Sequence, residues 1–297
     1  MRICDAHCDT LFNLVTAPKN KNDVTMERLL KGGVSLQTMA MYVGPKAPLE
    51  EVELLFDRML QALEGLKQQG WVLADDPSEA VAGEVKMLLS IEGCEVFGRG
   101  LTVIEEYRHK GVRMAAVTWN HENALAIPAC QDEQAGLKPY GLQAVKEMQR
   151  LKIAVDVSHL NQGGFYDILN KTDAPPMASH SCCRALREHR RNLTDQQLKD
   201  LFRAGGYVGL NFYPAFLTEG RCTMDTLVDH FDHMMDMGGE GKIGFGSDFD
   251  GISTKPEGLD NPEDFPALLQ KLRDRGYTEK QVKSIAGEAM IDYFARL

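Results

Sequence analysis

Positive charge is scarce in this 297-residue chain. Lys and Arg number 33 against 43 Asp and Glu, a net charge of −10. That balance excludes nucleic acid and an anionic membrane surface as expected partners and leaves small neutral or zwitterionic ligands. Long apolar runs are also missing. None approaches the roughly 20 residues of a membrane span, and no charged and then apolar leader precedes the first strand-like run. Neither targeting nor anchoring is therefore expected, and the expected compartment is the cytoplasm. Cysteine is sparse and odd in number, seven in all. Cys4, Cys8, Cys94 and Cys182 lie in or beside apolar runs, which suits reduced thiols rather than a disulfide framework. Linkers, low-complexity tracts and internal repeats are absent, so residues 1–297 read as one domain.

What is present is alternation. Eight apolar, β-branched-rich runs occur at residues 2–9, 34–43, 86–93, 112–119, 153–159, 175–181, 207–213 and 242–249. Segments of helical period separate them. In residues 48–70 the apolar positions Val52, Leu55, Phe56, Met59, Leu60 and Leu63 form the stripe of an amphipathic helix. Thr194 reads as the N-cap of "TDQQLKDLFRAGG", and two more helices close the chain. Eight strands alternating with helices predict an α/β fold, an eight-stranded (β/α) TIM-type barrel. The connection over residues 44–85 is long enough to hold an insertion across one end.

In such barrels the chemistry lies where the strands end, because the loops leaving that face converge. The polar residues at those ends are His7 and Asp9 on the first strand, Glu92 on the third, His159 on the fifth, His180 on the sixth and Asp248 on the eighth. A strand points alternate side chains to opposite faces, so His7 and Asp9 share one face. Each alone is an ordinary capped strand end; six on one rim are not. Three imidazoles with two or three carboxylates exceed what one tetrahedral zinc takes. They suit two divalent ions about 3.5–4 Å apart that share a carboxylate and an activated hydroxide able to cleave an amide or ester.

The segments "DAHCDT", "LLSIEG", "VTWNHEN", "VDVSHL", "ASHSCCRALREHRRNL", "GLNFYPAFL" and "GFGSDFDGI" together resemble the membrane dipeptidase family of binuclear zinc peptidases, in order and over essentially the whole chain. The resemblance implies an amidohydrolase-like barrel and a pair of zinc ions, with His7 and Asp9 on one, His159 and His180 on the other and Glu92 bridging. It further implies Asp248 as proton carrier, Arg191 as receiver of the substrate's carboxylate, and substrate contacts from Tyr213, Asn120 and His121. Dipeptide substrates, some with a D-configured second residue, and a soluble homodimer of bacterial type follow from the same resemblance. One position departs from the pattern. Trp119 stands where family members carry a histidine held to polarise the scissile carbonyl, so either His121 reaches in or the metals act without it.

Two rival readings stand beside this one. A binuclear amidohydrolase acting on a cyclic amide, lactone or phosphoester usually shows His-x-His on its first strand, whereas this chain has His7-x-Asp9. A barrel that binds metal without turnover is the non-enzymatic rival, and Trp119 keeps it open. Elsewhere, His109 reads as a surface residue, His230 and His233 as structural, and His189 as equally suited to the mouth or to solvent. Cys182 and Cys183 read as small buried fillers, the methionines near 224–237 as helix packing, and Asp156 and Asp250 as support for the histidines.

Overall fold

Each of the eight apolar runs contains a strand in the computed structural model, which describes residues 1–17 and 22–297. They are β1 (Ile3–Asp5), β2 (Val34–Tyr42), β4 (Lys86–Glu92), β5 (Val112–Ala116), β6 (Ala154–Asp156), β7 (Met177–Ser181), β8 (Tyr207–Leu210) and β9 (Ile243–Phe245). A two-residue strand, β3 (Val72–Leu73), is added in the long connection and pairs only with the start of β4. All pairings between these strands are parallel, in the order β2-β1-β9-β8-β7-β6-β5-β4, and β4 returns to pair with β2. The ring closes, so none of its eight strands is an edge.

Several strands stop short of the predicted ends, and the reason positions the site. β1, β6 and β9 leave the ladder after Asp5, Asp156 and Phe245. The polar residues that follow turn toward the barrel mouth instead of continuing the pleat. Past these ends an isolated bridge joins Cys8 to Phe249, with Asp9 N–H donating to Phe249 O at 3.0 Å, and toward β2 Ala40 N–H donates to Cys8 O at 2.9 Å.

The connection over residues 44–85 runs mainly along the outer wall, and its last part reaches the N-terminal end of the barrel, where Ala74 and Ala80 join the cluster packed on the final helix. Its helix Leu49–Gln68 buries Val52, Phe56, Met59 and Leu63 and packs on β2 and on the helix Thr10–Thr16, like any other helix of the outer ring. Thr194 caps the helix Asp195–Arg203 through a reciprocal box with Gln197. The last predicted helix is interrupted by a π-turn, Ser284–Glu288. There Gly287 lies so close to β1 that a Cβ would sit 2.8 Å from Cys4 Sγ.

The N-terminal end of the barrel is plugged. Cys4, Leu36, Leu88, Met114, Met177 and Tyr207 pack against Met290, Tyr293 and Phe294 of the final helix, and Tyr293 Oη donates to Pro175 O at 2.9 Å. The C-terminal end stays open. No described helix is long and apolar enough to cross a membrane.

Candidate metal centre and active site

Barrel closure brings together six side chains from five strands. Glu92 ends β4, His180 lies within β7, and His7, Asp9, His159 and Asp248 follow β1, β6 and β9. Glu92 stands at the centre with its two oxygens facing different partners. Oε1 is 2.9 Å from His159 Nε2 and 3.3 Å from His180 Nε2, while Oε2 is 3.7 Å from His7 Nε2. His7 Nε2 lies 3.8 Å from Asp9 Oδ1 and 3.8 Å from Asp248 Oδ1. The His7 and His180 rings stack at 4.0 Å.

Proton accounting shows what this cluster requires. His159 Nδ1 faces Asn120 Oδ1 at 3.0 Å; a carbonyl oxygen only accepts, so the ring carries its proton on Nδ1. His180 Nδ1 faces Ser179 Oγ at 2.8 Å. That hydroxyl donates to Asp156 Oδ2, so its oxygen accepts from the imidazole. Both Nε2 atoms therefore present lone pairs, 3.1 Å from each other and both toward Glu92 Oε1. Three acceptors converge with no proton on either imidazole Nε2, and a cation satisfies all three. Two imidazoles on one tetrahedral zinc stand about 3.3 Å apart, close to the separation seen.

The other half of the cluster points the same way. His7 Nε2 and Asp9 Oδ1 are buried without a hydrogen-bond partner, at separations too long for a hydrogen bond and suited to a shared ion. Burial opposes a proton on His7, yet the carboxylates of Glu92, Asp9 and Asp248 outweigh it and raise its pKa to about 10. Burial pushes Glu92 well above the usual carboxylate range. Burial, together with the positive charges of Arg191 and His7, holds His159 and His180 well below the usual imidazole range. The residues present fit a pair of divalent cations, with nitrogen and carboxylate donors of the kind zinc takes.

Backbone details aim the ligands. Asp248 and Asp250 both adopt left-handed conformations, φ 62° and φ 67°, rare for residues other than glycine. That double reversal turns Asp248 back toward His7. Between Asp9 and Asp248 only glycine fits, since a Cβ at Gly251 would lie 2.0 Å from Asp9 Oδ2 and 2.6 Å from Asp248 Oδ1. Asn211 donates to Asp248 Oδ2 at 2.9 Å, and burial raises the pKa of Asp248 to about 6.

Above the cluster opens a cavity of about 960 Å³. Arg191 lines it, 7% exposed, with Nε and Nη1 unpartnered, and its guanidinium lies over the Phe216 ring at 5.5 Å. A buried, unpaired guanidinium is costly unless an anion meets it. Tyr213 and Asn120 also line the cavity, as do His189 and Trp119. His121 does not. It sits behind Trp119, ring centroids 5.1 Å apart, with Nε2 buried and unpartnered. The structure thus brings nine of the ten predicted site residues to one cavity or its floor and leaves His121 behind the wall.

Asn120 has a task the sequence did not suggest, fixing the tautomer of His159. Asn211, Ser179, Phe12, Tyr42 and Phe216 were missed. Asn211 lies inside the conspicuous "NFYP" and Ser179 beside His180, yet no periodicity marks a residue that acts by touching a ligand. Asp156 supports His180 through Ser179. Asp250 touches no histidine; it accepts from Thr10 Oγ1 at 2.6 Å and from Asp23 N–H at 2.6 Å. His230 is structural, its Nδ1 accepting from Cys183 N–H at 3.1 Å and its Nε2 facing Leu217 O at 3.0 Å. All seven cysteines are free.

The chain matches the model of the membrane dipeptidase family, peptidase family M19, over residues 1–293. It is 35% identical over 224 residues to an uncharacterised dipeptidase of Schizosaccharomyces pombe, covering 72% of this chain and 54% of that protein. It is 36% identical over 204 residues to an uncharacterised protein encoded in the pqqA 5′ region of Klebsiella pneumoniae, covering 65% and 75%. The match spans about half the length of the fission-yeast relatives. Among solved structures it superposes on a metallo peptidase from Rhodobacter sphaeroides, liganded with a phosphinate mimic of L-Ala-D-Ala, with a TM-score of 0.93 at 27% identity, covering 100% of this chain and 99% of that one.

Proposed function

From the premise that this chain belongs to the membrane dipeptidase family, we propose that it is a zinc-dependent dipeptidase with two ions held by His7, Asp9, Glu92, His159 and His180. Divalent cations bound there supply Lewis acidity for the peptide carbonyl and a water of lowered pKa. The protein's own residues do the rest. Arg191 receives the substrate's free carboxylate in a planar fork, and Tyr213 closes the same side. Asp248, steadied by Asn211, carries a proton to the departing amine. Asn120 and Ser179 keep the Nε2 lone pairs of His159 and His180 toward the ions. A substrate that must reach from Arg191 to Glu92 with one peptide bond between is short, which disfavours longer peptides.

The observation that carries this reading is the unpartnered Arg191 guanidinium on the same cavity as an acceptor-only cluster. The phosphinate mimic of L-Ala-D-Ala held by the Rhodobacter protein supports L-D dipeptides as one substrate class. The resemblance also supports a homodimer, and light scattering of the purified protein tests the assembly. The decisive experiment measures hydrolysis of a dipeptide panel, dihydroorotate and a phosphotriester before chelation, after it, and after zinc is restored. Dipeptide cleavage lost on chelation and regained with zinc is expected; cleavage indifferent to chelator ends the proposal.

A further inference from the structure

The two sides of the cavity differ in chemistry, and the ring order says how they face. Arg191 and Phe216 come from the loops after β7 and β8. Around the closed ring β1, β2, β4, β5, β6, β7, β8, β9, the strand opposite β7 is β2. The wall on that arc is aromatic. Phe12 meets Tyr42 edge to face with centroids 4.6 Å apart, Tyr42 meets Trp119 at 4.8 Å, and all three rings line the cavity. Tyr42 is the cross-strand partner of Glu92, and Trp119 follows β5 on the other flank of β4. The rings therefore rise on either side of the carboxylate at the centre of the site.

On that arc the charged lining residues are the carboxylates of the cluster, Asp9, Glu92 and Asp248, and Asp250, which is held by Thr10; the remaining charge on the lining lies elsewhere. Arg184, Glu188 and Arg190 follow β7, and Glu133 leans across to pair with Arg184 at 3.0 Å. Rings that hold one another edge to face are preorganised, so little side-chain entropy is lost when an apolar group lands on them.

We propose that Trp119, with Tyr42 and Phe12, forms the subsite for the side chain of the substrate's amino-terminal residue and selects apolar and aromatic groups there. This rests on the dipeptidase reading. With the carboxylate on Arg191 and the peptide carbonyl over Glu92, the amino-terminal half extends onto the β1, β2 and β5 arc. The indole thus offers apolar area where a histidine would have offered a titratable nitrogen.

The test uses the metal-loaded protein. Dipeptides X-Ala, with X as Phe, Leu, Gly, Asp or Lys, give kcat/KM ratios. Phosphinate mimics carrying a benzyl group or a hydrogen at the amino-terminal position give binding ratios, read by titration calorimetry so that variants at Trp119 report in the same way. Burying a benzyl group should favour Phe over Gly and benzyl over hydrogen by roughly tenfold or more. W119A should bring both ratios within about threefold of unity, and W119H, which keeps a ring in place if W119A fails to fold, should lower both by several-fold. Wild-type ratios near one, or ratios unchanged in W119A and W119H, overturn the subsite. If no dipeptide is cleaved, the dipeptidase reading falls, and the benzyl-to-hydrogen binding ratio with its response to W119H still decides the subsite.

Discussion

Asp5 and Asp9 lie on the same short segment and are both buried, at 0% and 7% exposure, yet they live in opposite conditions. Asp5, within the barrel, accepts from Ser247 N–H at 2.8 Å, Ser247 Oγ at 2.5 Å and Gln37 Nε2 at 2.9 Å. Asp156 is held in the same way by Ser158 and Ser179. Asp9 Oδ1, at the mouth, has no donor at all, and Glu92 faces only imidazole nitrogens, two of them without a proton to give. Saturation with protein donors marks a carboxylate as architecture; starvation of donors marks one that awaits a cation.

The sharpest way to break that contrast is to neutralise one carboxylate from each set. E92Q should lower kcat/KM for dipeptides by at least about a hundredfold, with no loss of melting temperature in chelator, because it removes like-charge crowding. D5N should do the reverse, costing about 3 kcal/mol of stability while the folded fraction still binds metal. Denaturant titration alongside metal analysis separates the two, and E92Q protein that retained both ions and activity would dissolve the distinction.

At the far side of the cavity, R191A should raise KM for dipeptides by about a hundredfold and leave dipeptide amides much less affected; an equal loss on both would remove the carboxylate from its role. Beneath the ligands, S179A frees the tautomer of His180. It should weaken metal affinity by about 10- to 100-fold without changing dipeptide preference, read by competition with a chelator of known strength.

A further expected effect, visible only at acid pH, concerns a histidine that is satisfied. Burial lowers the pKa of His230 from 6.5 to about 4, so the unfolded chain takes up a proton before the folded one does. The stability His230 contributes is complete above pH 6.5 and is lost as pH falls toward 4, about 3 kcal/mol at most. Stability curves for wild type and H230Q, measured in chelator, should differ by that slope across this window; parallel curves would count against it.

Much of this was legible along the chain. Strands and helices follow from periodicities of two and 3.6, which are local, and the polar residues at strand ends stood out because they interrupt apolar runs. The π-turn at Gly287 and the short β1, β6 and β9 were not legible, since they answer to neighbours far away in sequence. For the site, the six cluster residues could be named from strand ends and motif resemblance, but not their geometry. That Glu92 turns one oxygen to His7 and the other to His159 and His180 depends on where β1, β4, β6 and β7 sit on the closed ring.

Local patterning along the chain was enough to place the eight strand-bearing runs, the main helices and the polar residues near the strand ends, because backbone geometry and side-chain alternation act over a few residues. Closure of the barrel is what lets Asn120 and Ser179 fix the imidazole tautomers, leaves Nε and Nη1 of Arg191 without a protein partner, and turns Trp119 rather than His121 to the cavity. Those outcomes turn on contacts between segments that become neighbours when the barrel closes, and no local preference encodes them.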